Sequence, residues 1–271
     1  CEYKSINEIV TSEQVQKLFQ PNNSKQKKLG RILVLSDAAH SIGAIYRGEM
    51  VGKVTDSTVF SFHSVKNITT GEGGAVCLNL PEPFDCQKEY KYLKALSLNG
   101  QNKSAFEKNK PGAWKYDIID QGIKVNMPDI CAAIGLAQIR IYKDLLLPER
   151  KKIFQFYNAF FSHYKWAITP VSQNEFKESS CHLYMLRIKG ITEKQRDQII
   201  HNLYENGVGA NVHYIPMPLL TLFKNLGYYI KDYPKTYELY SNEISLPVYN
   251  GLSELQLEEI CNSVVKGFKS I

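Results

Sequence analysis

The sequence predicts an α/β protein in which a mainly parallel sheet is flanked by helices and followed by a smaller α+β domain. Two observations concern the first half: runs of strand-forming residues occur at 32–35, 58–62 and 75–78, and polar residues follow each run. The third observation is a change of pattern after Pro148, where helical periodicity alternates with short strands. The 271 residues, 44% of them hydrophobic, are enough to bury a core in one large domain or two smaller ones.

The first predicted domain spans 1–147, and its elements follow from local composition. An amphipathic helix is predicted to end before Pro21, and Pro81 and Pro83 break the chain after the third strand. The elements predicted here are a helix at 6–19, strands at 31–36, 58–63 and 74–79, and a helix at 84–97.

A long polar loop at 99–122 separates these elements from a helix that begins at Pro128. Trp114 and Tyr116 are expected to anchor the loop, and loops of this length are more often functional than idle. The helix carries apolar residues at helical spacing, so one of its faces is predicted to lie in the core. The residues of this predicted core stripe are Ile130, Ile134, Ala137, Ile141 and Leu145.

The second predicted domain spans 148–271 and mixes helices with short strands. Thr192 is a good helix N-cap, although with Arg196 it lacks the full capping-box pattern, whereas Ser253 and Gln256 fit that pattern. The elements predicted here are a helix after Pro148, strands at 182–188 and 210–213, and helical segments at 192–205, 217–226, 233–243 and 253–268.

Lys66 is the residue whose surroundings most strongly indicate chemistry. A strand-like run at 58–62 precedes it, and a glycine-containing turn at 71–74 leads into the next apolar run. An amine held between two core strands is partly removed from water, which favours its reaction with a carbonyl group to form an imine. Taken alone, the residue could instead be a solvent-facing turn lysine, because lysine is rarely buried.

Asp37 follows the apolar run at 32–35 and is expected at the carboxyl edge of the sheet, where α/β folds place their ligands. It precedes Lys66 by 29 positions, which leaves room for a second strand to return beside the first. The pair suits pyridoxal phosphate (PLP), which needs an amine for its aldehyde and an acid for its pyridine nitrogen. A helix N-cap is the alternative role of Asp37.

Longer segments surround these two residues and recur through the chain. Taken together, in this order, they resemble the DegT/DnrJ/EryC1/StrS family, whose members are fold-type I, PLP-dependent sugar aminotransferases. Any single segment would be weak, but their order along the chain makes the resemblance specific. The segments are 37–41 (DAAHS), 60–63 (FSFH), Lys66 with 71–74 (GEGG), 122–136, 207–216 and 244–249.

The resemblance implies roles for four residues around the cofactor. Lys66 would bind the cofactor aldehyde and then act as the base that moves a proton, and Asp37 would pair with the pyridine nitrogen. His40 would lie against the cofactor ring or its phenolic oxygen, unless it is a structural histidine bonded to a backbone carbonyl. Ser61 would bind the cofactor phosphate, unless it is a strand serine that only satisfies its neighbours.

Two further pairs are implied by the resemblance. Lys124 and Asn126 match a stretch that reaches across a dimer interface to the neighbour's phosphate; many relatives have Asn at the position of Lys124, so a solvated loop lysine is the alternative. His213 and Tyr214 match a segment near the sugar-nucleotide pocket, although a capped histidine and a core tyrosine would give the same pattern. The resemblance thus implies a homodimer in which two chains share each active site.

The activity implied by the resemblance is the transfer of an amino group from glutamate to a nucleotide-linked keto-sugar. The preferred acceptor is a UDP-4-keto-6-deoxy-N-acetylhexosamine, in capsule, lipopolysaccharide or glycan biosynthesis. A PLP-dependent sugar dehydratase is an alternative, but such relatives carry histidine at the lysine position. A non-catalytic fragment is the other alternative: the chain starts at Cys1, and its start resembles the middle of the family's large domain. The family's phosphate-binding loop and stacking aromatic ring are expected to be missing.

Composition argues against other classes of function. The net charge of +6 comes from dispersed basic residues, which suits an anionic ligand such as a nucleotide sugar and does not favour nucleic acid. The six cysteines form no C-x-x-C pair, so neither a zinc site nor a disulfide framework is expected. Without a membrane-spanning stretch or a visible signal peptide, the predicted location is the cytoplasm.

Overall fold

The computed structural model describes residues 2–109, 111–112 and 114–271, so Lys110 and Ala113 of the predicted loop lie outside the described residues. The chain divides into two compact units, 1–140 and 141–271. The predicted boundary between the two domains at 147/148 stays a prediction. In the part of the chain that the structure describes, no helix combines the length and apolar composition needed to cross a membrane.

The first unit is built around a three-stranded sheet with the order β1-β4-β5. Strands β1 and β4 are parallel, and β4 and β5 are antiparallel. The helices and strands of this unit are α1 Tyr3–Thr11, α2 Glu13–Leu18, α3 Ser24–Leu29, β1 Leu35–Asp37, β2 Ile45–Tyr46, β3 Glu49–Met50, a 3₁₀ turn Val51–Lys53, β4 Ser57–Ser61, β5 Gly74–Leu78, α4 Cys86–Leu96, α5 Ala105–Lys108 and α6 Asp129–Ile141.

An ion pair between Arg31 and Asp56 fixes the beginning of β1 against that of β4. Two guanidinium nitrogens of Arg31 donate to the Asp56 carboxylate, each at 2.7 Å, and the amide of Val34 donates to the same carboxylate at 2.9 Å. Burial acts to raise the pKa of Asp56, but the Arg31 and Val34 hydrogen bonds together lower that pKa below its ordinary value. The carboxylate thereby joins the segments that enter both parallel strands.

The single helix predicted at 6–19 is two helices, α1 and α2, because Ser12 interrupts it. The backbone of Ser12 is extended, with φ −64° and ψ 148°, and its hydroxyl accepts a hydrogen bond from the amide of Val15. Serine competes for backbone hydrogen bonds in this way and so favours caps over helix interiors. The hairpin of β2 and β3 was absent from the prediction.

The predicted core stripe of α6 is wrong. Ile130 is 77% exposed, the other four residues of the stripe are exposed as well, and none of the helix's residues is buried. The small core of this unit is instead formed by Ala38, Ala44, Val51 and Phe60. Periodicity identifies an apolar face but not the surface that covers it, and the described residues leave this face uncovered.

The second unit places helices around an antiparallel sheet with the order β6-β8-β9. Its large core includes Phe161, Tyr184, Leu186 and Ile244, all fully buried. The elements of this unit are a π turn Tyr142–Leu146, α7 Leu147–Phe161, β6 Ala167–Ile168, β7 Lys177–Glu178, β8 Tyr184–Ile188, α8 Glu193–Glu205, a 3₁₀ turn Met217–Leu219, α9 Thr221–Asn225, a 3₁₀ turn Ile230–Asp232, α10 Pro234–Ser241, β9 Glu243–Leu246 and α11 Glu254–Lys269.

Three details of this unit differ from the sequence prediction or extend it. Thr192 does form a capping box, because its N3 partner is Gln195. The predicted strand at 210–213 is reduced to one bridge between Asn211 and Ser245. Strand β9, Glu243–Leu246, was not predicted, since the helix predicted at 233–243 covered its first residue. The capping box of Ser253 with Gln256 is confirmed.

Candidate active site

Strands β1 and β4 bring Asp37 and Ser61 to the same edge of the sheet. Asp37 is the last residue of β1 and pairs in register with Val59 of the parallel strand β4. Ser61 ends β4 two residues later, so it lies on the same face as Val59, because side chains alternate along a strand. The carboxyl ends of both strands therefore present polar side chains to one side, where α/β proteins bind ligands.

The carboxylate of Asp37 is exposed and is oriented by the backbone that follows it. Its Oδ1 accepts a hydrogen bond from the amide of Ala39 at 3.0 Å, while the amide of Ala38 donates to the carbonyl of Val59 at 2.8 Å. Residues 38–44 form turns and not a helix. The alternative role of Asp37 as a helix N-cap is therefore wrong.

Lys66 lies in the turn after β4 and makes a hydrogen bond with His40, which follows β1. The two nitrogens, Lys66 Nζ and His40 Nε2, are 2.6 Å apart. The lysine side chain is half-buried, and the next two residues, Asn67 and Ile68, are buried. This environment differs from that of a solvent-facing turn lysine. It also gives His40 a side-chain partner that sequence reasoning did not identify.

Backbone hydrogen bonds close the lysine turn at its base. The amide of Phe62 donates to the carbonyl of Gly73 at 2.8 Å, and the amide of Thr70 donates to the carbonyl of Phe62 at 2.9 Å. Gly73 has φ +152°, and a Cβ on it would lie 2.5 Å from Thr70 Oγ1 and 2.7 Å from Met127 Cε. Only glycine fits there, so this residue sets how tightly the turn folds.

Helix α6 braces the same turn through two residues that sequence reasoning missed. The amide of Thr69 donates to Gln138 Oε1 at 3.1 Å, and Gln138 Nε2 donates back to the Thr69 carbonyl at 2.6 Å. Gly135 lets the helix approach closely, because a Cβ on it would lie 2.8 Å from Thr70 Cγ2. The signal in the sequence was a glycine and a glutamine within the mainly apolar middle of the helix.

The remaining predicted residues of the first unit have local partners. Ser61 Oγ accepts a hydrogen bond from the amide of His63 at 3.3 Å. Lys124 and Asn126 are both exposed, and the Lys124 ammonium donates to Asn126 Oδ1. Their segment pairs with 96–99, since the amide of Val125 donates to the carbonyl of Ser97 at 2.9 Å.

His213 and Tyr214 belong to the second unit, where buried polar residues of β9 hold the histidine. His213 Nδ1 lies 2.7 Å from Ser245 Oγ, and the amide of His213 donates to Glu243 Oε2 at 3.0 Å. Tyr214 is 62% exposed, so the alternative reading as a core tyrosine is wrong. Sequence reasoning missed Glu243 and Ser245, although a glutamate and a serine alternating in an apolar strand were a visible signal.

The donor set of the first unit fits PLP. Lys66 supplies an amine, Asp37 supplies an acid at the neighbouring strand end, and Ser61 supplies a hydroxyl at the same edge. The Lys66–His40 hydrogen bond directs the amine towards the segment that follows β1. An α/β sheet that carries these groups at its carboxyl edge is the arrangement expected of fold-type I PLP-dependent transferases.

Comparison with known proteins agrees with this class. The chain belongs to the DegT/DnrJ/EryC1/StrS aminotransferase family, whose family model matches residues 25–265. It is similar to Spr1654, a proposed sugar aminotransferase of Streptococcus pneumoniae solved in PMP, PLP and apo forms. The PMP form superposes with a TM-score of 0.92 at 38% identity and covers 100% of this chain and 67% of that one. The predicted family and fold type are thus confirmed.

Two curated relatives carry informative names. The spore coat polysaccharide biosynthesis protein SpsC of Bacillus subtilis is 31% identical over 245 residues, which are 87% of this chain and 60% of the relative. The UDP-4-amino-4,6-dideoxy-N-acetyl-beta-L-altrosamine transaminase of Campylobacter jejuni is 31% identical over 230 residues, with shares of 85% and 57%. The chain therefore spans roughly 60% of the length of the curated relatives it matches.

Proposed function

We propose that the protein transfers an amino group from glutamate to a nucleotide-linked keto-sugar, with PLP as the cofactor. The observation that carries the proposal is the half-buried Lys66 amine, which is hydrogen-bonded to His40 beside the strand that ends in Asp37. The PLP and PMP forms of the pneumococcal relative support the choice of cofactor.

When bound, PLP would supply the aldehyde that takes up the amino group and the ring that accepts electrons from the substrate carbon. Lys66 would hold the aldehyde and, once displaced by a substrate amine, would carry the proton between the substrate carbon and the cofactor. The carboxylate of Asp37 would keep the pyridine nitrogen protonated. His40 would orient the lysine amine and accept a proton from it, since its Nε2 lies within hydrogen-bond distance.

The acceptor we propose is a UDP-4-keto-6-deoxy-N-acetylhexosamine. The support is the name of the Campylobacter jejuni relative, which acts on a UDP-linked 4-amino-4,6-dideoxy-N-acetyl sugar. The Bacillus subtilis relative is named for polysaccharide biosynthesis, which suits the synthesis of capsule, lipopolysaccharide or another glycan. His213 and Tyr214 would contact the nucleotide sugar, and the net charge of +6 suits its diphosphate.

A homodimer with shared active sites is part of the proposal. Lys124 and Asn126 would contribute to the phosphate site of a second copy as a point charge and a hydrogen-bond donor. Their exposure supports this role, as do the exposed apolar side chains of Ile123, Val125 and Ile130 around them. A cytoplasmic location completes the proposal, because nucleotide sugars are the substrates; nucleic acid and membranes are not proposed as partners.

The test is a titration of the purified chain with PLP, followed by its absorption spectrum. We expect a visible band from lysine-bound cofactor that is lost in Lys66→Ala and kept in Lys53→Ala, whose side chain is 72% exposed. An assay with glutamate and UDP-keto-sugars then identifies the acceptor. A titration without the band would favour the second candidate, a non-catalytic fragment of an aminotransferase. The observation that supports this candidate is that the chain covers 60% of the length of the Bacillus subtilis relative. A dehydratase is disfavoured because Lys66 stands where such relatives have histidine.

A further inference from the structure

Three polar residues of the second unit form a continuous hydrogen-bonded chain from Glu243 through Ser245 to His213. Ser245 Oγ donates to Glu243 Oε1 at 2.5 Å and lies 2.7 Å from His213 Nδ1. The other carboxylate oxygen, Glu243 Oε2, accepts from the backbone amide of His213 at 3.0 Å. Glu243 is 4% exposed and Ser245 is 5% exposed, so water does not compete for these bonds.

The backbone explains why these residues meet. Glu243 and Ser245 are two residues apart on β9 and therefore project from the same face of the strand. Asn211 and Ser245 exchange two backbone hydrogen bonds, at 3.2 and 2.7 Å. This antiparallel bridge places His213, two residues after Asn211, opposite Glu243.

The number of hydrogens available decides which imidazole nitrogen of His213 carries the proton. An ionised carboxylate only accepts hydrogen bonds, so the Ser245 hydroxyl must donate to Glu243. Its single hydrogen is then used, and the hydroxyl oxygen can only accept from the imidazole. His213 therefore carries a proton on Nδ1, and in the neutral ring Nε2 is the nitrogen with the lone pair.

Both oxygens of the Glu243 carboxylate accept a hydrogen bond, one from Ser245 and one from the His213 amide, and this favours the ionised form. Arg196 of α8 is fully buried and donates from NH1 to the Glu243 carbonyl at 3.3 Å, so its positive charge lies beside this residue. Burial raises the pKa of the Glu243 carboxyl above its ordinary value, and the hydrogen bonds of Ser245 and His213 and the charge of Arg196, which also pairs with Asp197, only reduce that rise. Arg187 of β8 pairs with Glu243 in register across the sheet.

We propose that Glu243 and Ser245 are positioning residues that set the tautomer of His213 and so decide what it can bind. An unprotonated Nε2 can accept a hydrogen bond but cannot donate one, so a hydroxyl or an N–H group of a ligand would suit it. An anionic oxygen of a diphosphate offers no hydrogen and does not suit this nitrogen. The ligand part of this inference rests on the proposed function, whereas the tautomer does not.

The test is ¹⁵N NMR of the full chain with labelled histidine, in which protonated and unprotonated ring nitrogens have different chemical shifts. The chain has six histidines, so His213→Gln identifies the signals of His213. We expect a proton on Nδ1 and an unprotonated Nε2 in the unaltered protein at neutral pH. The opposite tautomer there would overturn the proposal.

Glu243→Gln gives the sharpest result, because it is expected to invert the tautomer. The new amide oxygen must accept from the His213 backbone amide, so the amide NH₂ faces Ser245 and donates to its oxygen. The Ser245 hydroxyl then donates to His213 Nδ1, and the ring proton moves to Nε2. Unchanged His213 signals in this variant would overturn the proposal. Glu238→Gln, an exposed glutamate of the preceding helix α10, is the matched control and should change nothing.

Variants of Ser245 test the linking hydroxyl. In Ser245→Ala we expect a mixture of both tautomers, and in Ser245→Thr, which keeps the hydroxyl, the original one. Ser241→Ala removes a nearby hydroxyl that donates to the Glu238 carbonyl at 3.2 Å and is the matched control. A single unchanged tautomer in Ser245→Ala would count against the proposal. In an active enzyme, Glu243→Gln should also raise the KM for the nucleotide sugar about tenfold with little change in kcat. If no activity is found, the NMR result still stands.

Discussion

Lys66 Nζ lies 2.6 Å from His40 Nε2, and this hydrogen bond joins the segments that follow two neighbouring strands, β1 and β4. When Lys66 is an ammonium group it has hydrogens but no lone pair, so in that state Lys66 donates and His40 accepts through Nε2. The imidazole thus keeps its own proton on Nδ1 and offers a place for a proton that the lysine must lose before it attacks an aldehyde.

Replacement of His40 by alanine removes this acceptor and should slow the capture of PLP by Lys66. Proton transfer to a positioned side chain typically contributes at least about 10²-fold, so we expect the rate constant to fall by about that factor. The rate is measured from the growth of the visible band after mixing. His40→Gln, which keeps an acceptor oxygen, should be intermediate, and the exposed His63 gives the control variant His63→Ala. Equal rates for His40→Ala and His63→Ala would exclude a role for the imidazole.

Gly73→Ala should destabilise the lysine turn, because the new Cβ would lie 2.5 Å from Thr70 Oγ1. Strain of this kind costs about 1–3 kcal/mol, which urea unfolding can resolve. Gly71→Ala is the control: it also has positive φ, +78°, but no atom lies within 4 Å of its Cβ position. It should cost only about 1 kcal/mol. A smaller loss for Gly73→Ala than for Gly71→Ala would refute the packing argument.

The Arg31–Asp56 ion pair should make the free energy of unfolding depend on pH in the acidic range. The pKa of Asp56 is lowered in the folded state, so its stabilisation is present above the unfolded value of 3.8 and is lost as the pH falls through the folded value. At pH 7 we expect Asp56→Asn to lower the free energy of unfolding by about 2 kcal/mol. This difference from the unaltered protein should shrink at more acidic pH.

Thermal unfolding measured from pH 7 to pH 3 checks this prediction. The control is Glu13→Gln, which removes an ion pair with Lys17 whose side chains are both more than 70% exposed. Such a pair should contribute little at any pH. A loss for Asp56→Asn that stays constant down to pH 3 would contradict the expected linkage.

Ile130→Glu should prevent the proposed homodimer without unfolding the chain, because the side chain is 77% exposed. A buried charge in an interface leaves an unpaired group, so the dissociation constant should rise by at least about tenfold. Sedimentation velocity gives the oligomeric state, and circular dichroism checks the fold. Leu222→Glu changes a side chain that is 64% exposed on α9 and is the control. A monomeric unaltered protein with full activity would disprove the shared site.

The sequence predicted the positions of those candidate site residues that lie close to a strand end. Asp37, His40, Ser61 and Lys66 follow or end the runs predicted as β1 and β4, so their place at one sheet edge could be predicted from strand order alone. Their roles toward PLP stay predictions. The hydrogen bond between His40 and Lys66 could not be predicted, because it depends on the exact path of both turns.

Contacts between distant segments explain most of what the sequence did not reveal. Gln138 bonds a backbone 69 positions away, and Ser245 bonds a histidine 32 positions away. Local patterns carry no information on such pairs. The exposed stripe of α6 shows the same limit, since an amphipathic pattern predicts an apolar face but not its neighbour.

The closed base of the lysine turn has a consequence for how this region can vary in length. The hydrogen bond from Phe62 to Gly73 involves no atom of residues 63–69, so we expect a residue inserted there to leave the strands paired while displacing the amine. We expect such an insertion to keep the fold and to abolish the proposed activity. Changes of length in this stretch can therefore alter the position of the Lys66 amine without altering the fold.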